Sequence, residues 1–384
     1  MFKPRRVLQV AVILLLAGCA SSRQAPLAQS EPAPAGAGKA ASVPEYPRRP
    51  AGGRQTGPDA FTLPDGSLKP EVLSYARETA AARGIPPGYV QALLEDARYD
   101  ATVARLMSPA KTRVRRSWVT YRKRFVEPVR IRAGARFWKQ HRATLDAVSA
   151  KYGVPPSIIV AIIGVETIYG RNTGGFSVLD SLATLAFRYP DPDKPQRSQL
   201  FRDQLADLIE LDYRKELDAR QASGSFAGAM GLPQFMPGSL KRYAADGDAD
   251  GRIDLESNPA DAIASVANFL VAHGWQRGLP VFAPATLPAQ PAKLAHGGLE
   301  PAYDWTQLRK LGAAAPAGAQ NALWTRQKLG VVDLVDEPRK QVEYRIGTPN
   351  FFAITHYNRS YFYAASVADL ARALARQTGY GGPD

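Results

Sequence analysis

Residues 154–170 read VPPSIIVAIIGVETIYG. A Pro-Pro pair near the start suits the first turn of a helix, because proline lacks the N–H group that this turn leaves unpaired. Apolar residues then recur at three- and four-residue spacing, and Gly170 is typical of a helix terminus. The stretch predicts a helix over Pro156–Tyr169. Apart from one acid its inner surface is aliphatic, with Ile158, Ile162, Val165 and Tyr169 on one helical stripe.

One acid interrupts this apolar helix. Glu166 shares a helical stripe with Ile159 and Ile163, and no other acid lies in the stretch. Burial disfavours the charged form of a carboxyl group and raises its pKa, which suits a general acid that works near neutral pH. The alternative is a glutamate at the solvent edge of the helix, close to its C-terminus.

The same spacing predicts a mainly α (α+β) fold. Further helices are expected at Pro70–Ala82, Pro87–Leu94, Ala135–Tyr152, Gln199–Leu217, Pro259–His273 and Ser366–Gln377. Residues 281–349 differ, since they are rich in Ala, Pro and Gly and contain β-type runs at Val331–Val335 and Gln341–Ile346. We therefore expect one helical domain with a small β-containing insert.

Two more segments carry chemistry that suits an oligosaccharide. Residues 224–240, GSFAGAMGLPQFMPGSL, place Gln234 and Phe235 in a stretch of small residues that can line a groove. A simple Gly/Ala turn between helices is the alternative. Residues 350–364, NFFAITHYNRSYFYA, are rich in aromatics, which either stack on sugar rings or form part of the core.

An acidic segment follows the first of these two regions. In DGDADGRIDLESNPAD, residues 246–261, three aspartates and Gly251 occupy positions 1, 3, 5 and 6 of an EF-hand loop. Position 12 is Ser257, where the usual loop has a bidentate glutamate. The sequence predicts a Ca²⁺ site, with a solvated acidic turn as the alternative.

The N-terminus predicts export. Residues 1–18 combine three cations with an apolar run too short to span a bilayer, which is typical of a signal peptide. The run ends in LLLAGCA at Cys19, the only cysteine, and resembles the bacterial lipobox. That resemblance implies lipidation of Cys19 and, with Ala20 next, an outer-membrane location facing the periplasm. An ordinary signal peptide is the alternative. Residues 19–60 predict a flexible linker, and residues 61–384 a catalytic domain.

Composition limits the possible classes of site. One cysteine excludes an intrachain disulfide framework and a cysteine-based zinc site, and four scattered histidines show no HExxH spacing. The net charge of +14, of which the leader contributes three, suits an anionic partner such as nucleic acid, a membrane surface or an acidic polymer. The expected periplasmic location argues against nucleic acid.

Three motifs together resemble the membrane-bound lytic murein transglycosylase B family. They are GVETIYGRNTGG at 164–175, GSFAGAMGLPQFMPGS at 224–239 and NFFAITHYNRSYFYA at 350–364, and SWVTYRKRFV at 117–126 extends the likeness. The resemblance implies a goose-type-lysozyme-like core (about 151–280 and 350–378), a helical lobe and a small β-containing lobe (about 281–349). It also implies cleavage of the β-1,4 bond between N-acetylmuramic acid and N-acetylglucosamine in peptidoglycan, which leaves 1,6-anhydromuramyl ends.

The resemblance assigns roles to individual residues. Glu166 matches the single catalytic acid/base, and no cofactor is needed for catalysis. Substrate-binding positions match Tyr121, Ser225, Gln234, Phe235, Tyr357, Asn358 and Tyr363. A structural Ca²⁺ would be held by Asp246, Asp248, Asp250, Arg252 (through its carbonyl) and Asp261. The expected partners are peptidoglycan glycan strands and, through the lipid anchor, the outer membrane. A hydrolytic muramidase and a non-catalytic glycan-binding scaffold are the alternatives.

Overall fold

The computed structural model describes residues 55, 57–110, 112–380 and 382. The predicted signal peptide, the lipidation site Cys19 and most of the predicted linker lie outside the described residues and stay predictions.

Most of the described chain is helical, as expected. In chain order the helices are α1 Pro70–Arg83, α2 Pro87–Glu95, α3 Ala101–Met107, α4 Trp118–Phe125, α5 Pro128–Gln140, α6 Arg142–Tyr152, α7 Pro156–Thr167, α8 Val178–Phe187, α9 Pro195–Tyr213, α10 Pro237–Tyr243, α11 Pro259–Ala272, α12 Trp305–Lys310, α13 Pro349–Tyr357 and α14 Tyr361–Thr378. The strands are β1 Phe176–Ser177, β2 Ser223–Gly224, β3 Tyr303–Asp304, β4 Lys328–Asp336 and β5 Gln341–Gly347.

Helix α7 lies at the centre of the main core and packs against α5, α6, α11 and α14. Every residue from Ser157 to Ile163 is fully buried. Isoleucine and valine are weak helix formers because branching at Cβ restricts their side chains. Burial on all sides, rather than intrinsic helix propensity, therefore stabilises this helix.

The helix ends earlier than the sequence predicts, at Thr167 rather than Tyr169. Ile168 and Tyr169 both adopt left-handed backbone, with φ of 54° and 59°. The Tyr169 ring folds back between α5 and α7, where a Cβ on Gly134 or Gly164 would lie 2.2 or 2.4 Å from its hydroxyl oxygen. Only glycine at those two positions leaves room for the phenol, and this close packing accounts for the early turn.

Three other predicted helices differ in their bounds from the structure. Ala135–Tyr152 is not one helix, since α5 and α6 meet at His141. Helix α9 begins and ends four residues earlier than expected, and α14 begins at Tyr361 rather than Ser366. In α14 the Ser360 hydroxyl accepts a hydrogen bond from the Tyr363 N–H, so the helix begins at an N-cap that the apolar spacing does not reveal.

The two predicted β-type runs both form strands. Strands β3, β4 and β5 make an antiparallel sheet in which Val332 lies opposite Arg345. This sheet packs with α12 around a small core of its own, in which the rings of Trp305 and Trp324 lie 4.8 Å apart. A separate two-stranded pairing joins β1 to β2 beside the glycine-rich segment.

Among the described residues no single helix is both long and apolar enough to cross a membrane. Helices α6 and α7 are long and apolar enough only when they are taken together, and the chain bends by 114° between them. Helix α7 is buried in the core.

Candidate active site

Glu166 lies on the last turn of α7, next to the helix end described above, and keeps partial exposure to solvent. The Tyr363 hydroxyl donates a hydrogen bond of 2.6 Å to its Oε1. Burial raises the pKa of Glu166 from 4.5 to about 7, against the opposing effect of that hydrogen bond. At neutral pH a large share of the molecules therefore carries this carboxyl group protonated, as a proton donor requires.

Three tyrosines surround the acid, each from a different helix. Tyr363 is buried in α14, and its ring stacks on that of Tyr357 from α13 at 6.3 Å. Tyr121 on α4 lies close enough for the charge of Glu166 to help raise its pKa to about 12, although burial is the larger cause. Tyr121 and Tyr357 keep partial exposure, so both are available to a ligand.

The glycine-rich segment borders the site and is hydrogen-bonded to it. The Tyr357 hydroxyl donates to the Pro233 carbonyl at 2.7 Å, and the Thr167 hydroxyl donates to the Leu232 carbonyl at 2.9 Å. These two bonds fix the loop against α13 and against the end of α7. Gln234, with φ of 51°, donates its side-chain amide to the Thr173 and Gly231 carbonyls at 3.0 Å each.

The predicted substrate-binding residues differ in their accessibility. Tyr121, Ser225, Gln234 and Tyr357 are partly exposed around Glu166 or on the adjoining loop. Ser225 Oγ accepts a hydrogen bond from the Ala229 N–H at 3.1 Å, which fixes its position.

The other three predicted contacts are buried. Phe235 is 2% exposed and packs against Phe269 and Tyr357, so its ring is part of the core. Tyr363 is also 2% exposed and contacts the acid itself. Asn358 is 8% exposed, and its side-chain N–H group has no protein partner among the described residues. Substrate contact by these three stays a prediction, and the structure gives Phe235 a packing position.

Two residues that position the acid are not predicted from the sequence. Arg130 is 7% exposed, and its Nε donates to the Gly164 carbonyl at 2.8 Å, which ties α5 to the last turn of α7. A signal was present, because Arg130 occupies the apolar stripe of α5 that also contains Ala133, Gly134 and Phe137. Thr167 is the second; nothing in its sequence context distinguishes it from an ordinary helical threonine.

The acidic loop brings three of its carboxylates together. Asp246, Asp248 and Asp261 have oxygens within 4.8 Å of one another. Asp261 is fully buried and accepts the N–H groups of Gly247 and Asp254, at 2.7 Å each. Gly251 has φ of +83°, as the sixth position of such a loop requires. This set of hard oxygen donors fits Ca²⁺.

The fourth predicted carboxylate is not part of that cluster. Asp250 Oδ1 accepts the Arg252 N–H at 2.8 Å. Asp250 is not among the three clustered carboxylates, and the roles of Asp250 and of the Arg252 carbonyl stay predictions.

Comparison with known proteins connects this site to a family. The family described as "Transglycosylase SLT domain" matches residues 68–372. The membrane-bound lytic murein transglycosylase B of Escherichia coli is 35% identical over 98% of this chain and 99% of its own.

Solved structures agree with this match. The soluble lytic transglycosylase SltB1 from Pseudomonas aeruginosa is 38% identical, with a TM-score of 0.72 over 81% of this chain and 100% of its own. The Escherichia coli lytic transglycosylase Slt35 in complex with calcium is 36% identical, with a TM-score of 0.69 over 81% of this chain and 94% of its own. These likenesses confirm the predicted lysozyme-like, mainly helical fold.

Proposed function

Since the chain belongs to the transglycosylase SLT domain family, we propose that Glu166 is the single acid/base of a lytic murein transglycosylase. The protein is an enzyme that cleaves the β-1,4 bond between N-acetylmuramic acid and N-acetylglucosamine in peptidoglycan and forms 1,6-anhydromuramyl ends. The observation that carries the residue assignment is the raised pKa of a partly exposed Glu166 beside three tyrosines.

The reaction uses the carboxyl group twice. Protonated Glu166 donates its proton to the glycosidic oxygen while the bond from that oxygen to muramyl C1 breaks. The resulting carboxylate takes the proton of the C6 hydroxyl as O6 bonds to C1, so the acid is regenerated and no water is consumed. The residues gathered at the site contribute one carboxylate, whereas glycoside hydrolases of the common type use two.

Neighbouring groups hold the acid and the sugar. Tyr363 fixes Oε1, so Oε2 carries the exchanged proton. Tyr121 and Tyr357 offer ring faces to the sugars, and Ser225 and Gln234 offer polar atoms from the loop. The unpartnered N–H group of Asn358 supports a hydrogen bond to the substrate or to a water beside it.

Digestion of purified sacculi tests the assignment. Glu166→Gln is expected to lower turnover by about 10²–10⁴-fold, because the amide keeps the shape but cannot donate the proton. Glu95→Gln, at an exposed position on α2, is the matched control and is expected to retain activity.

Mass spectrometry separates anhydromuramyl from reducing ends, which differ by one water. Predominantly reducing ends in the wild-type digest would favour the muramidase alternative. A loss of tenfold or less in Glu166→Gln would exclude the single-acid mechanism.

Ca²⁺ at the acidic loop is a second part of the proposal. Asp246, Asp248 and Asp261 supply the clustered oxygens, and the aspartates repel one another unless a cation lies between them. The calcium complex of Slt35 supports the choice of ion. None of the side chains placed around Glu166 comes from this loop, and the loop supports the site through the Leu232 N–H, which donates to the Leu255 carbonyl at 2.8 Å. We therefore assign the ion to stability rather than to catalysis.

The proposed location is the outer membrane, on its periplasmic side. The relative from Escherichia coli is membrane-bound, as its name states. A lipidated Cys19 followed by a flexible linker would give this chain the same kind of attachment and let the catalytic domain reach glycan strands.

A further inference from the structure

Much of the positive charge is concentrated in one short region. Residues 112–142 contain eleven Lys and Arg residues and one acid, Glu127. This region includes α4 and α5, and α14 packs against both of these helices. Apart from Arg130, which positions the last turn of α7, these cations have no role in the reaction at Glu166.

The charged side chains lie on the outer side of these helices. On α4, Lys123 follows Tyr121 by two residues, which places the two side chains about 200° apart around the axis. On α14, Arg376 follows Tyr363 by thirteen residues, which gives a separation of about 220°. Because Tyr121 and Tyr363 face Glu166, the cations face away from the catalytic site.

Helix α5 shows the same division. Arg130 is buried against the Gly164 carbonyl, whereas Arg132, Arg136 and Lys139 are exposed. We call Lys123, Arg132, Arg136, Lys139 and Arg376 the basic face. Within the described part of the chain, none of these five has an ion-pair partner, so their charge is available to a ligand.

A cleft of about 450 Å³ lies beside this face, between α4, β5 and α14. Lys123 and Arg376 line it together with Arg122, Arg345 and Arg372. Asp369 also lines the cleft, and its carboxylate forms salt bridges with Arg345 at 2.7 Å and with Arg122 at 2.5 Å. Five cations against the two carboxylates of Asp369 and Glu343 leave the cleft positive, which suits a phosphate group.

We propose that the basic face docks on a bilayer that contains anionic phospholipids. Isolated cations spread over three neighbouring helices match a plane of closely spaced phosphates, and each contributes about a fivefold gain in binding near such a surface. A glycan strand in the catalytic groove does not cover this face, because the face lies on the other side of α4 and α14. Docking in this way turns the catalytic groove away from the membrane.

Lysine footprinting of the full-length protein tests the proposal. An amine-reactive reagent is applied with vesicles of phosphatidylcholine, or of phosphatidylcholine with one-third phosphatidylglycerol, and modification is read by mass spectrometry. We expect Lys123 and Lys139 to react about fivefold more slowly on the anionic vesicles, while exposed Lys293 and Lys310 react equally on both. Sodium chloride at about 0.5 M is expected to remove the difference, because it screens surface charge.

Charge-reversed variants provide the matched comparison. Arg132→Glu with Arg136→Glu is expected to abolish the protection, whereas Arg309→Glu with Arg326→Glu, which changes the net charge equally, preserves it. If the first variant melts below the wild type, Arg132→Gln with Arg136→Gln replaces it and is expected to remove most of the protection.

Three outcomes would overturn the proposal. The first is that Lys123 and Lys139 react equally on both kinds of vesicle, and the second is that both charge-reversed variants lose the protection equally. The third is that lipid-free sacculi, added to the Glu166→Gln protein, protect these lysines as well as the anionic vesicles do. The last would identify peptidoglycan as the partner of this face. No arm measures cleavage, so the result does not depend on the proposed function.

Discussion

At the scale of a single residue, the carboxyl group of Glu166 destabilises the fold when it ionises. Its pKa is 4.5 in ordinary surroundings and about 7 in the folded protein. Between pH 4.5 and about pH 7 the folded state therefore binds more protons than the unfolded state. The free energy of unfolding falls as the pH rises through this range. A shift of this size corresponds to about 3 kcal/mol at most.

Glu166→Gln is thus expected to stabilise the protein at pH 8 and to have little effect at pH 4. The amide stays neutral and accepts the Tyr363 hydrogen bond. Thermal melting at the two pH values measures the difference, which should reach a few degrees at pH 8. Glu95→Gln is the control. Equal melting temperatures of wild type and Glu166→Gln at pH 8 would contradict the raised pKa.

Tyr363→Phe is expected to act through position and pH. In the wild type the hydrogen bond from Tyr363 lowers the pKa of Glu166. Its removal therefore raises that pKa and moves the alkaline limb of the pH–rate profile to higher pH. An acid that is no longer fixed should also lower kcat, by about 10- to 100-fold. Tyr361→Phe, whose hydroxyl donates to the Gly298 carbonyl, should change neither. A profile with an unmoved alkaline limb would show that the hydrogen bond does not tune the acid.

Residue-level prediction succeeded where the cause was local. The aliphatic stripe on α7 predicts both the acid and the direction of its pKa shift. The Tyr363 partner lies 197 positions away in sequence, and a hydroxyl among many aromatics shows no sign of its partner before the chain is folded.

At the scale of an element, apolar spacing predicts where helices lie better than where they end. The end of α7 depends on a tyrosine packed against glycines of two helices, which is a tertiary contact. In the acidic loop, by contrast, the sequence itself predicts part of the local structure. Its spacing predicts the contact between Asp246 and Asp248, and the family resemblance alone points to Asp261 as the third member.

Substitutions in the acidic loop are expected to differ by position. Ca²⁺ should raise the melting temperature of the wild type, since a ligand at a hundredfold excess over its Kd stabilises by about 2.7 kcal/mol. Asp248→Asn removes a clustered carboxylate and should abolish that rise, whereas Asp250→Asn should retain most of it. Calorimetry after chelation and after addition of millimolar Ca²⁺ measures both. An unchanged wild-type melting temperature would show that the loop is only an acidic turn.

At the scale of the whole molecule, the predicted division into a helical body and an insert depends on composition. Loss of the helical spacing after residue 280 locates the change, and the two β-type runs form β4 and β5. The separate core around Trp305 and Trp324 was not predictable, because two tryptophans in a region rich in Ala, Pro and Gly give no indication that they meet.

Membrane attachment is also a property of the whole chain. Cys19→Ala is expected to move the protein out of the membrane fraction and to abolish labelling with a fatty-acid analogue. Fractionation of a bacterial host with and without the substitution measures this. If the wild type is soluble and unacylated in that host, the lipoprotein assignment is wrong.

The insert has one more property, which concerns its two junctions. The chain leaves the helical body and returns to it at one place, where the Thr348 N–H donates to the Val281 carbonyl at 3.1 Å. The fully buried Asn350 side chain closes the junction through the Gln276 and Leu279 carbonyls. A segment whose ends already touch can be gained or lost in a single genetic event, since a short turn suffices to rejoin the body. Strands β4 and β5 pack against α4, α13 and α14, so the parts of this lobe that lie away from these strands are the parts that can change in size without disturbing the catalytic helices.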